Sequence, residues 1–85
     1  MEITANLIKL QHEWIIAQVE PVKEEGLPGD PDFWLIEPYV VDYEGQLSQW
    51  AEHSSEREFN VRSSDLLVVT NPSKAILARY IECLE

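Results

Sequence analysis

The apolar residues of this chain change period once, at Asn71-Pro72, and that change separates a body of short strands from a terminal helix. Beyond it, Ile76, Leu77, Tyr80, Ile81 and Leu84 recur at helical spacing, while Lys74, Arg79 and Glu82 fall largely on another face. Asn71 is placed to cap the free amides of a helix start, and Pro72 suits the first helical position, where its missing N–H has no partner to lose. A helix of about 13 residues is marginal in isolation, so its apolar stripe must rest on the sheet or on a neighbouring subunit.

Upstream, the pattern is that of strands. Asn6 to Leu10 alternates Ile8 and Leu10 with Asn6 and Lys9, and the polar Gln11-His12-Glu13 reads as a hairpin turn. Trp14 to Val22 follows, with Ile15, Ala17 and Val19 on one side and Trp14, Ile16, Gln18 and Glu20 on the other; its β-branched content and Pro21 exclude a helix. Lys23 to Asp32, rich in Gly and Pro, is a surface connection. Phe33 to Tyr43 carries the strongest strand signal, and Pro38 within it marks a bulge, bend or edge because proline cannot donate to a ladder. After a turn at Glu44-Gly45, a strand is expected over Gln46 to Glu52, a polar link over His53 to Arg57, and a strand over Glu58 to Arg62. Ser63-Ser64-Asp65 reads as a tight turn, and Leu66-Leu67-Val68-Val69 as a strand buried on both faces.

At 85 residues the chain is expected to form a single domain, 1–85, with a thin core. Cys83 is the only cysteine, which rules out a disulfide within one chain and suits a reducing cytoplasm; it reads as a small, half-buried apolar residue. No window approaches the ~18 apolar residues of a membrane span, and the start lacks a signal-peptide pattern, so a soluble, cytoplasmic protein with no membrane partner is expected. Sixteen acids against six bases give a net charge of −10. Such a field repels phosphate, and no DNA partner is expected, although a locally basic or polar pore could bind RNA.

Catalysis needs an activated nucleophile or groups with tuned pKa values, and few residues qualify. His12 and His53 lie in polar turns with no second ligand nearby, and Cys83 sits far from the helix N-terminus that would activate it. Asp30, Asp32, Glu37, Asp42 and Glu44 crowd around one strand, but their spacing matches no calcium loop, and a solvated acidic face is the expectation. No enzyme, metal site or cofactor is expected. The tryptophans are in excess: Trp14, Trp34 and Trp50 cannot all vanish into so small a core, and at least one is expected in a subunit interface.

The segment Phe59-Asn60-Val61-Arg62-Ser63-Ser64-Asp65-Leu66-Leu67-Val68-Val69 resembles the second motif of Sm and Sm-like (LSm) proteins, in which a strand ends in Arg-Gly, a tight turn follows, and an apolar last strand leads to a neighbouring subunit. Arg62 takes the arginine position, Ser63 the glycine position and Asp65 approximately the asparagine position. The whole chain is similar to small Sm-like proteins of cyanophage and ocean-metagenome origin, through Leu7-Ile8-Lys9-Leu10, an Ile-Ala-containing second strand, and Asn71-Pro72-Ser73-Lys74 before the helix. It departs from the family at Ile36-Glu37-Pro38-Tyr39, which stands where an acid and Met-Asn hold a base, and in placing its helix after the sheet.

The resemblance implies a mainly β fold, a small open barrel of about five strongly bent antiparallel strands with a C-terminal α-helix. It also implies a cyclic homo-oligomer of roughly five to seven subunits, since the two edges of an open barrel can pair head to tail. Leu66, Leu67, Val68, Val69, Trp50 and Phe59 would form the subunit interface, and Arg62, Ser63, Asp65 and Lys9 would meet single-stranded RNA. A phage origin would place the protein in the cytoplasm of an infected cyanobacterium. The competing expectation is an acidic protein-interaction module that keeps the barrel and does not bind RNA.

Overall fold

The computed structural model describes residues 3–23 and 26–85, and is mainly β. Its strands are β1 (Asn6–Lys9), β2 (Trp14–Pro21), β3 (Phe33–Val41), β4 (Leu47–Gln49), β5 (Glu58–Val61) and β6 (Val68–Thr70), with a 3-10 turn at Ser63–Asp65 and one helix, α1 (Lys74–Leu84). All pairings are antiparallel, in the order β4-β3-β2-β1-β6, and β5 also pairs with β3. The sheet has two ends, β6 at one and β4 with β5 at the other, and does not close into a barrel.

The organising feature is the bend at Glu37-Pro38. Between the pairs Ile16↔Tyr39 and Gln18↔Ile36, β3 spends two residues where β2 spends only Ala17, and Glu37 takes the left-handed φ of 50°. The bulge divides β3 into two halves with different outer partners: Phe33–Ile36 pairs with β5, and Tyr39–Val41 with β4. The described residues form six strands, the number read along the sequence, where the Sm resemblance implied about five in a barrel. The expected strand over Gln46 to Glu52 shortens to Leu47–Gln49 because Ala51 turns left-handed at φ 54° and the chain leaves the sheet.

Both faces of the central strands are covered. On one, Ala5, Ile16, Tyr39 and Tyr80 are buried, with Ile3, Ile76, Leu77 and Leu84 packed around them, so α1 lies on this face as its apolar stripe requires. On the other, Ile8, Ile15, Ala17 and Leu35 are buried beneath Leu10, Val19, Val40, Trp50, Val61 and Leu66. Ile15, Ile16 and Ala17 are thus buried consecutively, Ile15 and Ala17 on one face and Ile16 on the other.

Three further expectations are corrected. The helix begins later, at Lys74, because Ser73, not Asn71, is its N-cap: the Ile76 N–H donates to Ser73 Oγ at 3.3 Å. Cys83 is exposed, since it lies beside the stripe of Leu77, Tyr80 and Leu84 and not within it. Leu66-Leu67-Val68-Val69 is not buried on both faces; among the described residues β6 has β1 as its one neighbour, and Leu67, Val68 and Val69 are 60%, 44% and 50% exposed.

Candidate nucleic-acid interface

The Arg62 turn is held by a loop remote in sequence. As β5 ends, the Ser63 N–H donates to Asp32 Oδ1 and the Ser63 hydroxyl to Asp32 Oδ2, both at 2.7 Å. The Asp32 N–H in turn donates to the Val61 carbonyl at 3.1 Å. The Ser63 hydroxyl, then its amide, lowers the Asp32 pKa by favouring the carboxylate. Arg62 Nε donates to Asp65 Oδ2 at 3.2 Å across the 3-10 turn, and both side chains remain more than half exposed. Arg62, Ser63 and Asp65 therefore lie in one turn, with the Asp65 carboxylate on the Arg62 guanidinium and the Asp32 carboxylate on Ser63.

Lys9 stands apart in its side-chain contacts. Its backbone joins the same end of β6, where the Leu67 N–H donates to the Lys9 carbonyl at 2.9 Å. Its ammonium, however, lies 5.9 Å from the centre of the Trp14 ring, a cation–π arrangement.

The expected interface residues divide into two groups. Leu67, just before β6, and Val68 and Val69 within it are exposed, whereas Leu66 packs under the sheet. Trp50 and Phe59 engage each other, edge to face at 5.2 Å, and the Trp50 indole donates to Glu13 Oε1 at 2.8 Å. Trp14 and Trp34 are the tryptophans left more open, at 37% and 36%.

The carboxylates read as a solvated face have separate structural tasks. Asp42 Oδ1 accepts from the N–H groups of Glu44 at 2.9 Å and Gln46 at 2.8 Å, shaping the β3–β4 turn. Asp30 Oδ2 accepts from the Leu27 N–H at 2.9 Å. Glu37 faces Arg57, 3.5 Å away. Among the described residues no group of three or more His, Cys, Asp or Glu is placed to hold a metal. His12 and His53 lie exposed in turns.

Two side chains that sequence reasoning passed over hold the bend. Arg57, expected in a polar link, donates to the carbonyls of Pro38 at 2.8 Å and Trp50 at 2.9 Å, and lies between the rings of Tyr39 and Phe59. Tyr80 reaches down from α1 and donates its hydroxyl towards the carbonyls of Glu37 at 2.9 Å and Ile36 at 3.2 Å. Its burial raises the pKa of that hydroxyl. A lone Arg before a strand and a Tyr within an apolar stripe were the available signals, but neither names its partner.

No helix among the described residues is long and apolar enough to cross a membrane. No curated protein matches the sequence. Over residues 1–85 the sequence matches a family of unknown function, DUF6561, and the chain belongs to that family.

Proposed function

We propose that the protein is an Sm-like domain that assembles head to tail into a cyclic homo-oligomer and offers the Arg62 turn of each copy to single-stranded RNA. The observation that carries this reading is the open apolar rim at β6, where Leu67, Val68 and Val69 stand 60%, 44% and 50% exposed and, among the described residues, β1 is the one strand paired with it. An edge of this kind is a template for another strand, and the sheet's opposite end supplies one in β4 and β5. The two ends differ, so each copy would use both, and the contact closes into a ring when the rotation permits. Repetition around a ring would bring several copies of Arg62 together, compensating for the weakness of one guanidinium beside Asp65.

The test measures oligomeric mass by light scattering and the ultraviolet absorbance ratio of the same sample. A ring that binds single-stranded RNA at low salt, and loses that binding on Arg62→Ala while keeping its mass, is the expected result. A monomer, or a ring indifferent to RNA at low salt, sinks the corresponding half of the reading.

A second reading is an acidic protein-interaction ring. It is favoured by the way the arginines are committed within the chain, Arg57 to carbonyls, Arg79 to the carbonyl of Gly45 at 2.6 Å and Arg62 to Asp65, while the net charge is −10. Capture of one defined basic partner that survives nuclease treatment would select it.

A further inference from the structure

At the far end of the sheet from the bend, three exposed side chains stand in one row. Glu20 on β2 is the direct partner of Trp34 on β3, and Trp34 is the direct partner of Asn60 on β5. Direct partners in antiparallel strands project from the same face, with Cβ atoms roughly 5 Å apart. The neighbouring row belongs to the helix: Gln18, the partner of Ile36, donates to the Tyr80 hydroxyl at 3.5 Å. The Glu20–Trp34–Asn60 row lies one step farther out, and Glu20, Trp34 and Asn60 are all exposed. They share a groove of about 610 Å³ walled by Pro21, Lys23 and Pro31.

The chemistry of the row is directional. An indole face is a stacking platform for a flat heterocycle. On one side of it a carboxylate can only accept hydrogen bonds, and on the other a primary amide can donate. A ring stacked on Trp34 therefore fits when one edge carries adjacent N–H donors and another carries acceptors. Guanine has this pattern, with N1–H and N2–H₂ on one edge and O6 and N7 on another. Adenine would turn the N1 lone pair towards the carboxylate, uracil has one N–H between two carbonyls, and cytosine has only its exocyclic amine.

We propose that Glu20, Trp34 and Asn60 form a guanine site, in which the base stacks on Trp34, its N1–H and N2–H₂ donate to Glu20, and the Asn60 amide donates to its acceptor edge. The site lies two residues along the chain from Arg62, at Asn60, and uses the base, not the phosphate, as is appropriate for a strongly acidic protein. It rests on the RNA-binding reading only for the source of the guanine, which is either a free nucleotide or a base within a single strand.

The test is calorimetric titration of the full chain with the four nucleoside 5′-monophosphates, followed by single-stranded hexamers with and without guanine. Guanosine monophosphate is expected to bind at least about tenfold more tightly than the other three. Glu20→Gln, which preserves shape at an exposed position, is expected to cost about tenfold for guanosine monophosphate and little for the others. Trp34→Ala removes binding, and its melting curve reports whether the fold survives. Preference for the guanine-containing hexamer assigns the site to RNA, and response to the mononucleotide alone assigns it to free nucleotide. Equal binding of the four nucleotides, no binding at millimolar concentration, or indifference to Glu20→Gln overturns the proposal. Mass measured on the same sample keeps the outcomes distinct: a monomer that selects guanine removes the ring and keeps the site, and a ring that ignores guanine does the reverse.

Discussion

Asp32 holds Ser63 by both carboxylate oxygens, one on the backbone N–H and one on the hydroxyl, each at 2.7 Å. The loop that precedes β3 is thereby fastened to the turn that follows β5. Because the folded state lowers the Asp32 pKa, its contribution to stability is present above the ordinary aspartate pKa of about 3.9 and is lost as pH falls through the lower folded value. Asp32→Asn is expected to lower the melting temperature at neutral pH and to narrow its difference from the parent in acid. A pair of melting curves at several pH values between neutral and 3 checks this; an acid-independent difference would remove the carboxylate from the account.

Tyr80→Phe keeps the ring and its edge-to-face contact with Tyr39, whose centres lie 5.9 Å apart, but takes away the donor to the β3 carbonyls. A loss of about 1 to 2 kcal/mol in urea unfolding is expected. The raised Tyr80 pKa gives a second signature: in the parent protein stability is retained below about pH 10 and falls as pH climbs towards the folded value, and the phenylalanine variant lacks that component.

Arg57→Lys retains the charge opposite Glu37 but loses the fork that reaches Pro38 and Trp50 together. A cost of about 1 to 3 kcal/mol is expected from denaturant titration. A lysine that restores full stability would show that charge alone, and not the two-carbonyl geometry, holds the bend.

Replacing both Val68 and Val69 with lysine charges the open rim of β6 on each of its faces. Under the proposed assembly, the mass by light scattering is expected to fall to that of one chain while circular dichroism still reports folded β-structure. A charged rim that leaves an oligomer intact would place the subunit contact elsewhere.

Much of this fold was legible in the chain's patterning. Alternation located β1, β-branched content located β2, and the inability of Pro38 to donate marked the bend. The change of period at Asn71-Pro72 located α1, though the cap moved to Ser73 because the residue with a hydroxyl aimed at Ile76 decides the first turn. What periodicity cannot give is the partner at long range. Val68 and Val69 look identical in sequence whether β6 is central or at an edge, and their exposure follows from β1 being their one neighbour. Asp32 and Ser63, or Glu20, Trp34 and Asn60, become sites only through register, which joins segments that no local spacing connects.

The pairing of β1 with β6, which sets Ile8 opposite Val69, has a consequence for synthesis. A ribosome releases β1 before the other five strands and β6 after them, with α1 and Tyr80 later still. Until then β1 is shielded along one edge by β2 alone, and the Ile16–Tyr39 face awaits the helix that covers it. The growing chain can form its central hairpins early, but it can complete its sheet only once β6 has followed all the other strands out of the ribosome.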